Sequence, residues 1–332
     1  MILSRAPLRI SFVGGGTDLP SYYRKEKQVG RVISVTFDKY VYVAVNRTPF
    51  INKVSARYSV SETVDHPADL KHTRIKAALL DLEIFRNIEI ASFADLPAKA
   101  GLGSSSSFTV ALLQALYLFK NMRLTSEELA SAACRLEMNL INEPIGKQDQ
   151  FAAVYGGFNV FQFNPDETVS VTPLHMKWQA KFDLEDHFLL FFMGLVRNSS
   201  SVLNDQNANV SSKLETLKEM ADSVFEFREN LLASNIRRLG EMLHQGWLKK
   251  RSLSSQISNS VIDDLYGAGM DGGAWGGKVL GAGGGGCLAF ITSNKDEVRL
   301  KVSKMAKDLS LTDFREIPVK FVQEGASVHF NR

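Results

Sequence analysis

Apolar and polar positions alternate at the opening of the chain, where Leu8, Ile10 and Phe12 bracket Arg9 and Ser11. A period of two predicts a strand entered at Pro7 and ended at Gly14. Arg31 to Asn46 is β-rich and alternates again, which predicts two strands with a turn near Asp38 and Lys39. From Asp69 to Leu82 the period lengthens to that of a helix, with His66 and His72 on polar ground as surface histidines. Ile88 to Pro97 predicts a strand that leads into AKAGLGSSSS. Beyond it Val110, Leu113, Leu116, Tyr117 and Leu118 recur at helical spacing, so the loop feeds the N-terminus of a buried helix. Thr125, three residues before Glu128, opens a further helix with a capping box, and that helix runs to Ile141 with Glu137 near its end. A short apolar helix is headed by Asp149 and closed by Gly156 and Gly157.

The second half reads differently. Pro165 to Lys181 is polar and irregular, which predicts a boundary there and two domains, residues 1–170 and 171–332. His187 to Arg197 is a buried-strand run, and NSSSVLNDQ opens a helical region that reaches Arg251. A glycine-dense stretch, DGGAWGGKVLGAGGGG, abuts the apolar strand CLAFI, so its glycines sit inside the fold. An amphipathic helix and a last strand in REIPVKFV complete an α+β pattern with an antiparallel sheet.

Composition narrows the function classes. At 332 residues the chain exceeds one ordinary core. Lys and Arg number 39 against 36 Asp and Glu, a net +3 that offers no general affinity for nucleic acid or a membrane surface. Cys134 and Cys287 lie far apart without metal-ligand spacing, as expected of buried thiols in a reducing compartment. No segment has the length and apolarity of a signal peptide or a membrane span, so the expected location is the cytoplasm.

Three stretches carry candidate chemistry. Gly101, Leu102, Gly103, Ser104, Ser105 and Ser106 form a loop at a helix N-terminus, where unpaired N–H groups and a partial positive charge attract phosphate. The serines could cap the helix, bond phosphate oxygens or ligate Mg2+; an ordinary capped helix is the plainer alternative. The loop has neither the GxxxxGK[ST] of a Walker loop nor the third glycine of GxGxxG. Gly14 to Asp18 joins three glycines to Thr17 and Asp18, a hydroxyl and a carboxylate suited to a polyol, or else a turn with Asp18 capping the next helix. Asp149 at its helix head is a cap or a catalytic carboxylate, with Lys147 beside it to hold it ionised. Glu137 near a helix C-terminus is unfavourable unless a cation or solvent compensates.

PLRISFVGGGTD, LPAKAGLGSSSS and KVLGAGGGGCLAFI resemble, in order, the three motifs of the GHMP kinases, and the match spans essentially the whole chain. The resemblance implies the two-domain fold of that family, an N-terminal α/β domain like one of ribosomal-protein origin and a ferredoxin-like C-terminal domain, with the site between them. It implies ATP and Mg2+, with the phosphate loop as above, Ser105 and Glu137 as metal ligands, and Asp149 as base beside Arg9. Gly15, Gly16, Thr17 and Asp18 would contact the substrate, with Gly283 and Gly284 of the third motif. The branch it looks most like phosphorylates the anomeric hydroxyl of a heptose 7-phosphate in GDP-heptose synthesis. Fucose- or galactose-type 1-kinases and a non-catalytic sugar sensor are the alternatives. Partners are then a sugar phosphate and ATP, without nucleic acid or membrane, and with a homodimer left open. Where galactokinases carry Glu-His this chain has Gly15 and Gly16, which removes a charge that would repel a phosphate at the far end of the sugar. Arg197 is the candidate cation for that phosphate, or else a surface arginine at a strand end.

Overall fold

A computed structural model describes residues 1–25, 28–195 and 199–331. The first half lays strands β1 (Ile2–Val13), β2 (Gly30–Arg47), β3 (Val54–Arg57), β4 (Ser61–Val64), β5 (Ile88–Ala94), β6 (Phe158–Phe163) and β7 (Val169–Pro173) into one sheet. Its helices are α1 (Pro20–Tyr23), α2 (Thr73–Asp81), α3 (Ser104–Phe119), α4 (Ser126–Cys134) and α5 (Gln148–Tyr155). The second half has α6 (Trp178–His187), β8 (Phe188–Phe192), α7 (Ser199–Asn209), α8 (Leu214–Leu232), α9 (Ile236–Arg251) and α10 (Ser260–Asp271). β9 (Gly276–Val279), β10 (Cys287–Ile291), α11 (Lys295–Asp308), β11 (Arg315–Glu316) and β12 (Ser327–Asn331) follow.

The expected turn at Asp38 and Lys39 is not a turn. β2 runs unbroken for 18 residues, and these two form a bulge where the register on β1 shifts from Pro7 with Tyr40 to Leu8 with Phe37. The bulge marks a change of partner: residues 30–35 pair with β6, and residues 41–47 with β5. Polar atoms that a turn would have used are met from elsewhere, because Asp38 N donates to Lys320 O (2.9 Å) and Tyr40 N to Asp95 Oδ2 (2.8 Å).

The order β12-β1-β2-β5-β3-β4, with β6 on β2 and β7 on β6, makes an eight-stranded sheet among the described residues. It includes Val169–Pro173 and Ser327–Asn331, so chain from beyond residue 170 returns to the first sheet. The last strand is expected within REIPVKFV; there Arg315–Glu316 pairs with β8 and Phe321 makes a single bridge to Phe37 of β2, while the strand that closes the chain is β12, which has no strong period of its own. A second, antiparallel sheet runs β11-β8-β10-β9. The α+β pattern of mixed helices and two separate sheets is thus present.

α3 lies across β1 and β2 and is buried along most of its length, from Ser106 to Leu116. On the opposite face of β1, Leu8, Ile10 and Phe12 share a core with Phe188 and Phe192 of β8 and with Val224 and Phe227 of α8. The period of two therefore has two uses: the even positions glue the halves together, and Arg9 and Ser11 point into the space between them.

Candidate active site

A cleft between the halves is floored by the end of β1 and the glycine loop, and walled by the head of α5 and by α7, α9 and the third motif. Gly103 is the N-cap of α3 in the left-handed region (φ 77°), and a Cβ there would lie 3.1 Å from Arg9 Cγ and 3.5 Å from Asp149 Cγ. Its missing side chain is the room in which those two residues meet. Arg9 Nε and Nη2 donate to the two carboxylate oxygens of Asp149, both at 2.8 Å, and Nη1 donates to Gly101 O at 2.7 Å. Arg9 is buried and Asp149 half-buried, so the fork holds one carboxylate edge toward the cleft. Gln148 Nε2 also reaches Asp149 Oδ1 (3.3 Å), and Gln148 Oε1 accepts from Ser11 Oγ (3.2 Å). Lys147 is not the partner of Asp149: it bonds Glu167 Oε2 at 2.7 Å, pulled away by a carboxylate that Tyr23 and Arg24 also engage.

Asp18 sits beside this pair and does not cap α1; Leu19 is the N-cap of that helix and provides no side-chain bond. Asp18 Oδ1 accepts from Gly16 N (3.1 Å) and Oδ2 from Gln148 N (3.4 Å). Burial, then the nearby charge of Asp149, pushes its carboxyl above the usual range. Thr17 departs from expectation. Its hydroxyl is fully buried and bonds Gly14 O (2.8 Å) and Arg31 O (3.0 Å), which braces the loop and keeps Thr17 out of the cleft. A Cβ on Gly15 would meet only Ser11 Oγ, at 3.8 Å, whereas the Gly16 amide is already committed to Asp18.

Ser104, Ser105 and Ser106 line the cleft, as do Gly101 and Gly103, but Leu102 is a core side chain whose carbonyl accepts from Arg9 N. Gly283 lines the third-motif wall; Gly284 is buried behind it with its amide donated to Ile257 O (2.8 Å). Gly101 and Gly281 cross so closely that a Cβ on either would come within 2.7 Å of the other loop, at Leu280 O or Gly101 Cα. Arg197 lies outside the described residues.

The expected metal pair separates. Ser105 is exposed in the cleft, but Glu137 is fully buried behind Ser106. Its Oε1 accepts from Arg74 Nε (3.0 Å) and Thr109 Oγ1 (2.7 Å), and its Oε2 from Ser106 Oγ (2.8 Å) and Gln150 Nε2 (2.5 Å). Four donors saturate the carboxylate and compensate its burial, so Glu137 does not fit a first ligand of Mg2+ here. No cluster of three His, Cys, Asp or Glu suited to a metal occurs among the described residues. Glu143, joined to Arg74 Nη2 at 2.6 Å, is the acidic side chain that faces the cleft at this edge.

Three lining residues carry no sequence signal of their own. Lys250, in the run WLKKR, reads as surface charge at a helix end, yet its ammonium is buried and donates to Gly281 O. Lys278 is buried too and donates to Ser11 O (3.0 Å) and Phe12 O (2.7 Å). Gln206 of α7 is 3% exposed.

Comparison with known proteins places the chain in a family. The family model for the GHMP kinases N terminal domain matches residues 71–157, and that for GHMP kinases C terminal matches 227–310. A D-glycero-alpha-D-manno-heptose 7-phosphate kinase of Campylobacter jejuni is 26% identical, covering 98% of this chain and 97% of its own. A bifunctional fucokinase/GDP-fucose pyrophosphorylase of Arabidopsis thaliana is 26% identical over 88% of this chain and 30% of its own. Among solved structures, a D-glycero-D-manno-heptose 1-phosphate kinase from Bacteriodes thetaiotaomicron superposes with a TM-score of 0.80 at 24% identity over all of both chains. Because both family domains match in order along the chain, it belongs to the GHMP kinase family and is an ATP-dependent carbohydrate kinase.

Proposed function

We propose that this chain is a carbohydrate kinase that transfers the γ-phosphoryl of ATP to the anomeric hydroxyl of D-glycero-D-manno-heptose 7-phosphate, giving the 1,7-bisphosphate for GDP-heptose synthesis. The observation that carries the reading is the Arg9–Asp149 fork set against Gly103 of the phosphate loop. It puts a fixed carboxylate beside the expected position of the nucleotide phosphates, as in-line transfer requires. Asp149 orients the acceptor hydroxyl and takes its proton as the new O–P bond forms and ADP leaves. Backbone N–H groups at the start of α3 and the Ser104 and Ser105 hydroxyls hold the nucleotide phosphates, with Mg2+ entering as part of the nucleotide substrate. Asp18 accepts from sugar hydroxyls. Glycine at positions 15 and 16 removes the charge a side chain could bring there, and Gly15 leaves room on the cleft side for a phosphate at the far end of the sugar.

The test is ATP turnover with the 7-phosphate, unphosphorylated heptose, fucose and galactose. The reading expects kcat/KM for the 7-phosphate to exceed the others by about 100-fold, the worth of a buried, charge-assisted contact. Preference for fucose or galactose would move the assignment to that branch of sugar 1-kinases.

A further inference from the structure

We propose that Gln206 and Lys250 form, with the open face of Gly15, the subsite for the phosphoryl group that the sugar already carries. The proposal rests on the heptose 7-phosphate reading and names the groups that would enforce it.

Gln206 Nε2 is buried without a hydrogen-bond partner. It lies against the motif-one loop, 2.3 Å from where a Cβ on Gly16 would stand. A buried amide donor left unmatched is destabilising, and an acceptor in the cleft removes that cost. Its place is set by its neighbours: Asp205 accepts from Ser254, while Asn207 accepts from Ser21 Oγ (2.6 Å) and donates to Pro144 O (3.4 Å). α7 is thereby tied to both halves, and Gln206 between those ties faces the cleft.

The acceptor should be an anion, because neither lysine on this wall has a carboxylate at ion-pair distance among the described residues, with Asp18 and Asp149 acting on Lys250 only from farther off. Arg9 has Asp149, but Lys250 and Lys278 bond only carbonyl oxygens among the described residues. Burial, with Arg9 nearby, lowers the Lys250 ammonium to about 8, and burial with Lys250 nearby lowers Lys278 further. A neutral hydroxyl would leave these charges uncompensated, and a phosphate dianion would not. Gly15, Lys250 and Lys278 also border a second cavity behind the cleft, so they flank one passage. The carboxylates of that cavity are already engaged: Glu219 with Lys249, Asp222 with Arg31, Glu226 with Arg238. None is left to repel an incoming phosphate.

The test uses Gln206→Leu, Gln206→Glu and Lys250→Met in the full chain, with folding checked by thermal melting. Each is assayed with heptose 7-phosphate, unphosphorylated heptose and ATP as the varied substrate. Gln206→Leu should raise KM for the 7-phosphate about tenfold and Lys250→Met about 100-fold, in line with a neutral and a charge-assisted bond. Gln206→Glu should exceed the leucine variant by repulsion. KM for ATP should stay within about twofold, as should KM for the unphosphorylated sugar. A wild-type enzyme that turns over heptose 7-phosphate, combined with variants that raise KM for ATP, raise both sugars equally or raise neither, would overturn the subsite and leave the functional reading standing. A wild type that prefers the unphosphorylated sugar would overturn both.

Discussion

Asp149 is held by two bonds from one guanidinium, and this fork separates positioning from proton transfer. Asp149→Asn keeps the shape and one of the Arg9 bonds but cannot accept a proton. Turnover should fall by about two to four orders of magnitude while the melting temperature and ATP affinity stay near wild type; turnover within a few-fold of wild type would show that Asp149 only anchors Arg9. Lys250 makes a second prediction. Arg9, Lys278, Asp18 and Asp149 are the charged groups around it, and burial dominates. Its charge is present below about pH 8 and lost above, so kcat/KM for the sugar phosphate should decline as pH rises through 8, and Lys250→Arg should flatten that decline. For folding the sign is opposite: between about 8 and 10.5 the unfolded chain holds the extra proton, so the Lys250 contribution to stability grows with pH. A pH profile identical in wild type and Lys250→Arg would show that this ammonium does not meet the substrate. Neither partner choice is legible from spacing. Lys147 is two residues from Asp149 and Arg9 is 140, yet the β1 side chain is the one that reaches it.

At the scale of elements, what could be read were periods and caps. The Thr125–Glu128 capping box, the head and end of α5, and the α3 helix behind its glycine loop all stand where the pattern put them. What escaped were places where geometry departs from the ideal repeat. The helix expected to reach Ile141 becomes a π-helix over Arg135–Leu140, and that turn carries Glu137 inward to Arg74, Ser106, Thr109 and Gln150. His66 is a surface side chain as expected and also accepts from Ala68 N, whereas His72 is half-buried, with its ring accepting from Ile75 N at the head of α2. The Glu137 network makes a stability prediction. Glu137→Ala leaves Arg74 with Glu143 alone and strips the Ser106, Thr109 and Gln150 side chains of their buried acceptor, so it should cost about 3 kcal/mol in urea unfolding. Glu137→Gln should leave the Mg2+ dependence of turnover unchanged; a sharply raised Mg2+ requirement would return Glu137 to the metal.

Across the whole molecule, the site exists only because the halves interlock. Lys278 of β9 holds the carbonyls at the end of β1, Gly101 and Gly281 cross without room for a Cβ, and β12 returns to pair with β1. Gly101→Ala, which would need a left-handed alanine 2.6 Å from Leu280 O, should raise KM for both ATP and sugar. An effect on ATP alone would show that the crossing does not shape the sugar side. The resemblance of three ordered motifs made this architecture legible, while the residues that arrive from the second half, Gln206, Lys250 and Lys278, became visible only through burial. The most direct test of the account is the product itself. Wild-type enzyme with ATP and heptose 7-phosphate, followed by phosphorus NMR, should release one ADP per new phosphomonoester, with the new phosphorus coupled to the anomeric proton. Phosphate placed on any other hydroxyl, or ADP formed without sugar phosphorylation, would contradict it.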